Sequence, residues 1–115
     1  TVSVMKEAAE DRSWRVRLTF AKHFDLFCAA FGPEITEGHL MAPFIQLLKD
    51  NEQEVRKEAV RVIEACLQIK TPLTPAQLTT HILPQFPSLA IDPAQPVRAA
   101  LAQLLGPMAK ALGRE

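Results

Sequence analysis

The strongest constraint on the fold is a seven-residue motif that occurs three times. It reads Asp, four variable residues, Val and Arg, and it occupies residues 11–17, 50–56 and 92–98. Successive copies of its valine lie 39 and 42 residues apart. A fixed period of about 40 residues is typical of stacked helical hairpins, because one hairpin buries its apolar face only against its neighbours. The sequence therefore predicts a repeat protein.

Apolar residues follow each motif valine at a helical spacing. They recur four, eight and eleven positions after it, which places them on one face of an α-helix. The residues are Phe20, Phe24, Phe27, Ala59, Ile63, Cys66, Leu101, Leu105 and Met108. A matching upstream column consists of Leu40, Phe44, Leu47, Ile82, Phe86 and Leu89. The prediction is an all-α solenoid in which each unit pairs a helix A, ending at the motif aspartate, with a helix B.

About three such units are expected, as a segment of a longer solenoid. The predicted units span residues 1–32, 33–70 and 71–115. The predicted helices A span 2–10, 38–49 and 76–90, and the predicted helices B span 14–31, 53–69 and 95–112. Proline lacks a backbone N–H, so Pro87 and Pro107 predict kinks inside the last helix pair.

The turn between paired helices has its own expected chemistry. Asp50 and Asp92 are predicted N-caps of helix B, with Gln53 and Gln95 three residues later in a capping-box arrangement. Pro93 would then occupy the first helical position, where its missing N–H is harmless.

The motif arginine follows its aspartate by six residues and can reach an aspartate of its own or of an adjacent unit. We therefore predict a structural ladder of ion pairs along the stacked turns. Its members are Asp11, Arg17, Asp50, Arg56, Asp92 and Arg98.

Trp14 has two interpretations that the residues alone leave open. It lies two positions before Val16, where the other units carry Gln53 and Gln95, so the position is not expected in the core. An exposed Trp beside Arg15 is typical of a protein-contact hot spot. Alternatively, the indole folds over helix A and screens the short first unit.

Composition excludes several functional classes. Thirteen Lys and Arg balance thirteen Asp and Glu, so no basic field is present to hold nucleic acid or an anionic membrane. No apolar stretch reaches the length of a membrane span. We expect protein partners only, with no nucleic acid, membrane or small-molecule substrate, and neither a cofactor nor a metal.

Isolated reactive side chains do not form a catalytic pattern. His23, His39 and His81 lie in three different segments without a shared ligand spacing. Cys28 and Cys66 lie on or beside the apolar stripe and are expected to be buried, reduced thiols. The chain is therefore not expected to be an enzyme.

Three longer strings are more specific than the motif itself. They are Trp-Arg-Val-Arg at 14–17, Gly-Pro-Glu-Ile-Thr at 32–36, and Leu-Lys-Asp followed by Glu-Val-Arg at 48–56. Together they resemble the HEAT-repeat family of scaffolding A subunits of type 2A protein phosphatases, and most closely its middle repeats.

This resemblance implies a non-catalytic scaffold whose intra-repeat turns hold a regulatory B-type subunit and the phosphatase catalytic subunit. The family's Trp-Arg contact pair maps onto Trp14 and Arg15. The expected partner-binding residues are Arg12, Ser13, Trp14, Arg15, Asn51, Glu52 and Gln53. A cytoplasmic location is expected, with the nucleus left open.

Two alternatives remain at this point. A HEAT adaptor of another assembly, such as nuclear transport, would bind cargo peptides along the concave helices B. A HEAT-like DNA glycosylase would need a basic cleft and a catalytic acid, and the neutral composition argues against it.

Overall fold

The computed structural model describes residues 2–68 and 73–113, and this part of the chain contains helices and turns but no strand. The α-helices are α1 (Val2–Ala9), α2 (Trp14–Lys22), α3 (Phe24–Ile35), α4 (Met41–Leu47), α5 (Gln53–Gln68), α6 (Pro75–Gln77), α7 (Phe86–Ala90) and α8 (Gln95–Ala111). Two π-helical segments (Thr36–Leu40 and Leu78–Ile82) and one 3₁₀ segment (Leu83–Gln85) complete the helical structure.

The helices stack in two layers. Helices B form one layer, in which α5 lies between α2 and α8. Helices A form the other, in which α4 contacts α1 on one side and the second π segment on the other. The smallest dimension of the molecule is 19 Å, which fits two helix layers about 8–10 Å apart. The predicted all-α solenoid is thus confirmed.

One continuous apolar core lies between the layers. Its largest fully buried side chains include Phe20, Phe24, Phe44, Leu40, Met41, Leu47, Ile63, Ile82 and Leu104. The rings of Phe24 and Phe44 stack in parallel with centroids 3.9 Å apart, and they join the first unit to the second. The phenylalanines of the first helix B therefore act in packing, as the pattern predicts.

The first helix B is not the single helix predicted over 14–31. It divides at His23, whose backbone leaves the helical region (φ −109°, ψ 12°). The imidazole Nδ1–H donates to the carbonyl oxygen of Thr19 at 3.0 Å, and a side chain that competes for a helical carbonyl disturbs the local helix.

The connection between the first two units is a single glycine. Gly32 has φ 87° and ψ 167°, a conformation that L side chains rarely adopt, and the helix direction changes there. The helix A of the second unit therefore starts at Pro33 rather than at Gly38, and Gly38 lies inside the first π segment.

The prolines of the third unit interrupt its helix A but not its helix B. Its helix A is helical from Pro75 to Ala90, but 3₁₀ geometry over Leu83–Gln85 interrupts it just before Pro87. Pro84 and Pro87 both lack the N–H of a normal helical bond, which explains the predicted local break. Pro107, by contrast, lies within the uninterrupted α8.

Two predicted core positions are exposed, and the repeat explains why. The motif valine is fully buried at Val55 and Val97 but 37% exposed at Val16. Another helix B precedes and contacts those of Val55 and Val97, whereas none precedes that of Val16 among the described residues.

The position eight residues after the valine is exposed in the last unit instead of the first. It is fully buried at Phe24 and Ile63, but Leu105 is 50% exposed and Leu104 takes its place in the core. At this position Phe24 stacks on Phe44 of the following unit.

Within the described ranges, no helix is long and apolar enough to cross a membrane.

Candidate protein-binding edge

The three turns that join paired helices lie side by side along one edge of the stack. We call residues 10–13, 48–52 and 91–94 the turn edge. In each turn the motif aspartate accepts a hydrogen bond from the backbone N–H two residues later. The bonded pairs are Asp11 and Ser13 at 2.8 Å, Asp50 and Glu52 at 2.9 Å, and Asp92 and Ala94 at 2.9 Å. This Asx turn fixes the backbone before helix B begins.

The predicted capping scheme is therefore wrong by two positions. Helix B begins at Gln53 and Gln95, so these residues occupy the first helical position and not the third. The residue before α8 is Ala94, which makes no side-chain cap, and Pro93 lies outside the helix. The aspartate caps the turn instead of the helix, because its oxygen is already bonded two residues downstream.

The first motif arginine connects the first two turns. Arg17 donates from Nε and Nη2 to the two carboxylate oxygens of Asp50, at 2.6 and 3.0 Å. Its Nη1 donates to the backbone oxygens of Asp11 and Arg12, at 2.8 and 3.1 Å. One side chain thus bonds its own turn through the backbone and the next turn through a bidentate ion pair.

The second arginine repeats this geometry between the second and third turns. Arg56 donates to both carboxylate oxygens of Asp92, at 2.8 and 2.9 Å, and to the backbone oxygen of Asp50 at 2.8 Å. Arg98 donates to the backbone oxygen of Asp92 in the same way. We call the two ion pairs, Arg17–Asp50 and Arg56–Asp92, the inter-turn pairs.

The inter-turn pairs are largely shielded from water. Side-chain exposure is 16% and 7% in the first pair, and 13% and 8% in the second. The hydrogen bond to Asp50 raises the pKa of Arg17. Burial raises the pKa of Asp92, but the bonds from Arg56 and from the N–H of Ala94 outweigh this, and the net pKa lies below its ordinary value. Both shifts favour the charged forms of Arg17 and Asp92.

The structure places Trp14 between its two interpretations. The indole is half-buried and packs against the edge of the core, as the screening interpretation requires. The guanidinium carbon of Arg15 lies 4.8 Å from the ring centroid, a cation–π geometry. Arg12, Ser13 and Arg15 are exposed, so the first turn presents a partly buried ring surrounded by accessible polar groups.

Three further candidate residues lie in the second turn. Asn51 and Gln53 are exposed and Glu52 is half-buried. They line a shallow depression of about 320 Å³ together with Arg56 of α5 and with Pro93 and Ala94 of the third turn. The surface of the second turn therefore continues into the third.

One exposed side chain on this edge lies outside the predicted contact residues. Ile91 begins the third turn and is 82% exposed. The same turn position carries Glu10 in the first unit and Lys49 in the second, so comparison of the three turns would have singled it out.

Side-chain hydrogen bonds at the opposite edge of the stack join the second and third units. Thr74 and Gln77 form a capping box at the start of the third helix A. The Gln77 amide also donates to the backbone oxygen of Pro33 at 2.9 Å. His81 Nε2 donates to a carboxylate oxygen of Glu37 at 2.6 Å.

The remaining reactive groups are structural. Cys28 and Cys66 are buried and free of disulfides, as predicted. Their mutual hydrogen bond and their burial raise the pKa of Cys66, which keeps the thiol protonated. In the described part of the chain, no three His, Cys, Asp or Glu side chains converge as a metal site would require.

Paired helices in two layers, with ion-paired turns along one edge, define a HEAT-type helical repeat protein. A family model for the PPP2R1A-like HEAT repeat matches residues 33–113, starting at the proline that opens the second unit. The chain belongs to this family, which confirms the resemblance seen in the sequence.

A curated human relative is similar over most of the chain. This protein of Homo sapiens is the beta isoform of the 65 kDa regulatory A subunit of serine/threonine-protein phosphatase 2A, and it is 37% identical over 88 residues, which are 75% of this chain. The matched segment covers 14% of that relative. The similarity supports a scaffold role and protein partners in general.

Proposed function

We propose that this chain is a segment of the scaffold protein of a type 2A Ser/Thr phosphatase. In this proposal it has no catalytic role and forms three units of a longer solenoid. It acts in the cytoplasm and holds a regulatory B-type subunit and the catalytic subunit through its turns. Tethering two proteins to one rigid support raises their effective concentration toward each other.

The observation that carries the proposal is the geometry of the turn edge. Three turns lie in register and are connected by two bidentate, largely buried ion pairs. A surface that is already rigid loses little conformational entropy when a partner binds, so its contacts contribute more fully to affinity. The proposed contact residues are Arg12, Ser13, Trp14, Arg15, Asn51, Glu52 and Gln53.

The inter-turn pairs have a structural role in this proposal. Both oxygens of Asp50 and of Asp92 are bonded within the chain, so these carboxylates have little capacity left for a ligand. Family membership favours this scaffold over a nuclear-transport adaptor, whose cargo would lie along the helices B.

The test is capture of the regulatory subunit by the full-length protein that contains this chain. Trp14→Ala should weaken capture by about tenfold or more, because a central Trp is a frequent hot spot. Arg15→Glu tests the same surface. Because the Arg15 side chain is exposed, this change should disturb folding less than Trp14→Ala does. Gln68→Ala, an exposed change at the far end of α5, is the matched control.

Thermal unfolding of each variant separates the two interpretations of Trp14. Weaker capture with nearly unchanged melting supports a contact role. Equal capture by the parent, Trp14→Ala and Arg15→Glu would overturn the proposal, whatever their melting temperatures.

A further inference from the structure

Ile91 lies at a turn position that is exposed in all three units. It is the most exposed large apolar side chain in the described ranges, at 82%. The equivalent residues Glu10 and Lys49 are also exposed, although a further unit follows each of them. The repeat itself therefore identifies this position as one that stacking leaves open to water.

Leu105 provides the contrast. It is 50% exposed, but its equivalents Phe24 and Ile63 are fully buried, and Phe24 stacks on Phe44 of the unit that follows it. Stacking of one more unit would cover Leu105 and would leave Ile91 uncovered.

The backbone that carries Ile91 is held in place. Its N–H donates to the oxygen of Ser88 at 3.3 Å, and the N–H of Asp92 donates to the oxygen of Leu89 at 3.2 Å. The carboxylate of Asp92 is fixed in turn by Arg56. An exposed apolar side chain on a rigid turn is suited to bind with a small entropy cost.

Ile91 lies in the turn next to the one that carries Asn51 and Glu52, and Arg56 joins the two turns through the Asp92 carboxylate and the Asp50 backbone oxygen. The depression of about 320 Å³ runs from Asn51, Glu52 and Gln53 of the second turn to Pro93 and Ala94 of the third. Pro93 is two residues from Ile91. The third turn, which begins at Ile91, is therefore the neighbour of the second along the turn edge.

We infer that Ile91 is an apolar anchor that extends the contact onto the third turn, where it enters an apolar pocket of the same folded protein partner. This inference rests on the proposed function, and it adds a residue that the sequence motifs do not mark. Glu and Lys at the equivalent positions cannot serve in this way, so the anchor distinguishes the third turn from the other two.

The test uses the full-length protein and the purified regulatory subunit, with affinity measured for three variants. Ile91→Ser should raise Kd on the order of tenfold, because the buried apolar area is lost. Ile91→Leu should retain binding within about twofold, because it keeps the apolar volume. Gln68→Ala, the exposed change at the far end of α5, should leave Kd unchanged.

Trp14→Ala, measured in parallel, separates failure of this inference from failure of the proposed function. If Trp14→Ala weakens binding and Ile91→Ser does not, the inference is wrong and the proposed function survives. If neither variant weakens binding, the proposed function fails as well. If Ile91→Ser only reduces self-association in sedimentation experiments, the residue contacts a second copy of the chain, and the inference is overturned.

Discussion

The two junctions between successive units share their edge and differ in their core. Each junction has one bidentate Arg–Asp pair with nearly the same distances and burial. Inside, the first junction packs stacked phenylalanine rings beside a helix B broken at His23, whereas the second packs the long, uninterrupted α5 and α8. The polar edge thus fixes the register of the stack, while the apolar interior tolerates different shapes.

The largest effect is expected in the aromatic core of the first junction. Phe44 is fully buried and stacks on Phe24. Phe44→Ala should lower the free energy of unfolding by about 3–5 kcal/mol, because it removes apolar contacts and leaves a cavity. Chemical denaturation of the chain measures the loss. If Phe44→Ala lowers the free energy of unfolding by less than Arg17→Met does, the turn edge contributes more to the stability of this junction than the core.

An intermediate effect is expected from the inter-turn pairs, and it should be similar at both junctions. Arg56→Met leaves the Asp92 carboxylate shielded from water without its partner, so we expect a loss of about 2–3 kcal/mol. Arg17→Met should cost a similar amount at the first junction. Lys57→Met, which removes only the partly exposed contact to Glu54, is the control and should cost less than about 1 kcal/mol.

The pH dependence provides an independent check on Arg56→Met. The folded-state pKa of Asp92 lies below its ordinary value of 3.8, so the pair's stabilisation is complete above that value. It is lost as the pH falls through the folded-state pKa. The difference in stability between the parent and Arg56→Met should therefore shrink in acid. A difference that does not change with pH would contradict the assignment of an ion pair.

The smallest effect is expected at the opposite edge. The side chains of His81 and Glu37 are 28% and 48% exposed, so their contact is weakened by solvent. His81→Ala should lower the free energy of unfolding by less than about 1 kcal/mol. A loss as large as that of Arg56→Met would show that both edges hold the second junction.

Much of this architecture could be predicted from the sequence, because periodic apolar residues specify helices and their faces directly. The bounds of α5 and α8 illustrate this, since both predicted starts, at Gln53 and Gln95, agree with the structure. The role of the motif aspartate could not be predicted from its spacing. An Asx turn and an N-cap both place Asp before a helix and both bond a downstream N–H, so spacing alone does not separate them.

Other features depend on neighbours that a sequence pattern does not contain. Leu105 is half exposed although its equivalents Phe24 and Ile63 are fully buried, and apolar character alone gives no sign of this difference. The π segments over Thr36–Leu40 and Leu78–Ile82 change the backbone bonding without changing residue type. Ile91 lies outside the seven-residue motif. Only a comparison of the three turns, which carry Glu10, Lys49 and Ile91 at this position, distinguishes it.

The direction of the Arg–Asp bonds has a consequence for how such a chain can evolve. At both junctions the earlier turn contributes the guanidinium and the later turn contributes the carboxylate, so the two junctions have the same polarity. Duplication or deletion of one whole hairpin would leave each surviving bond with an equivalent partner. Length can therefore vary in steps of one hairpin, whereas reversing a single hairpin would set like charges against each other.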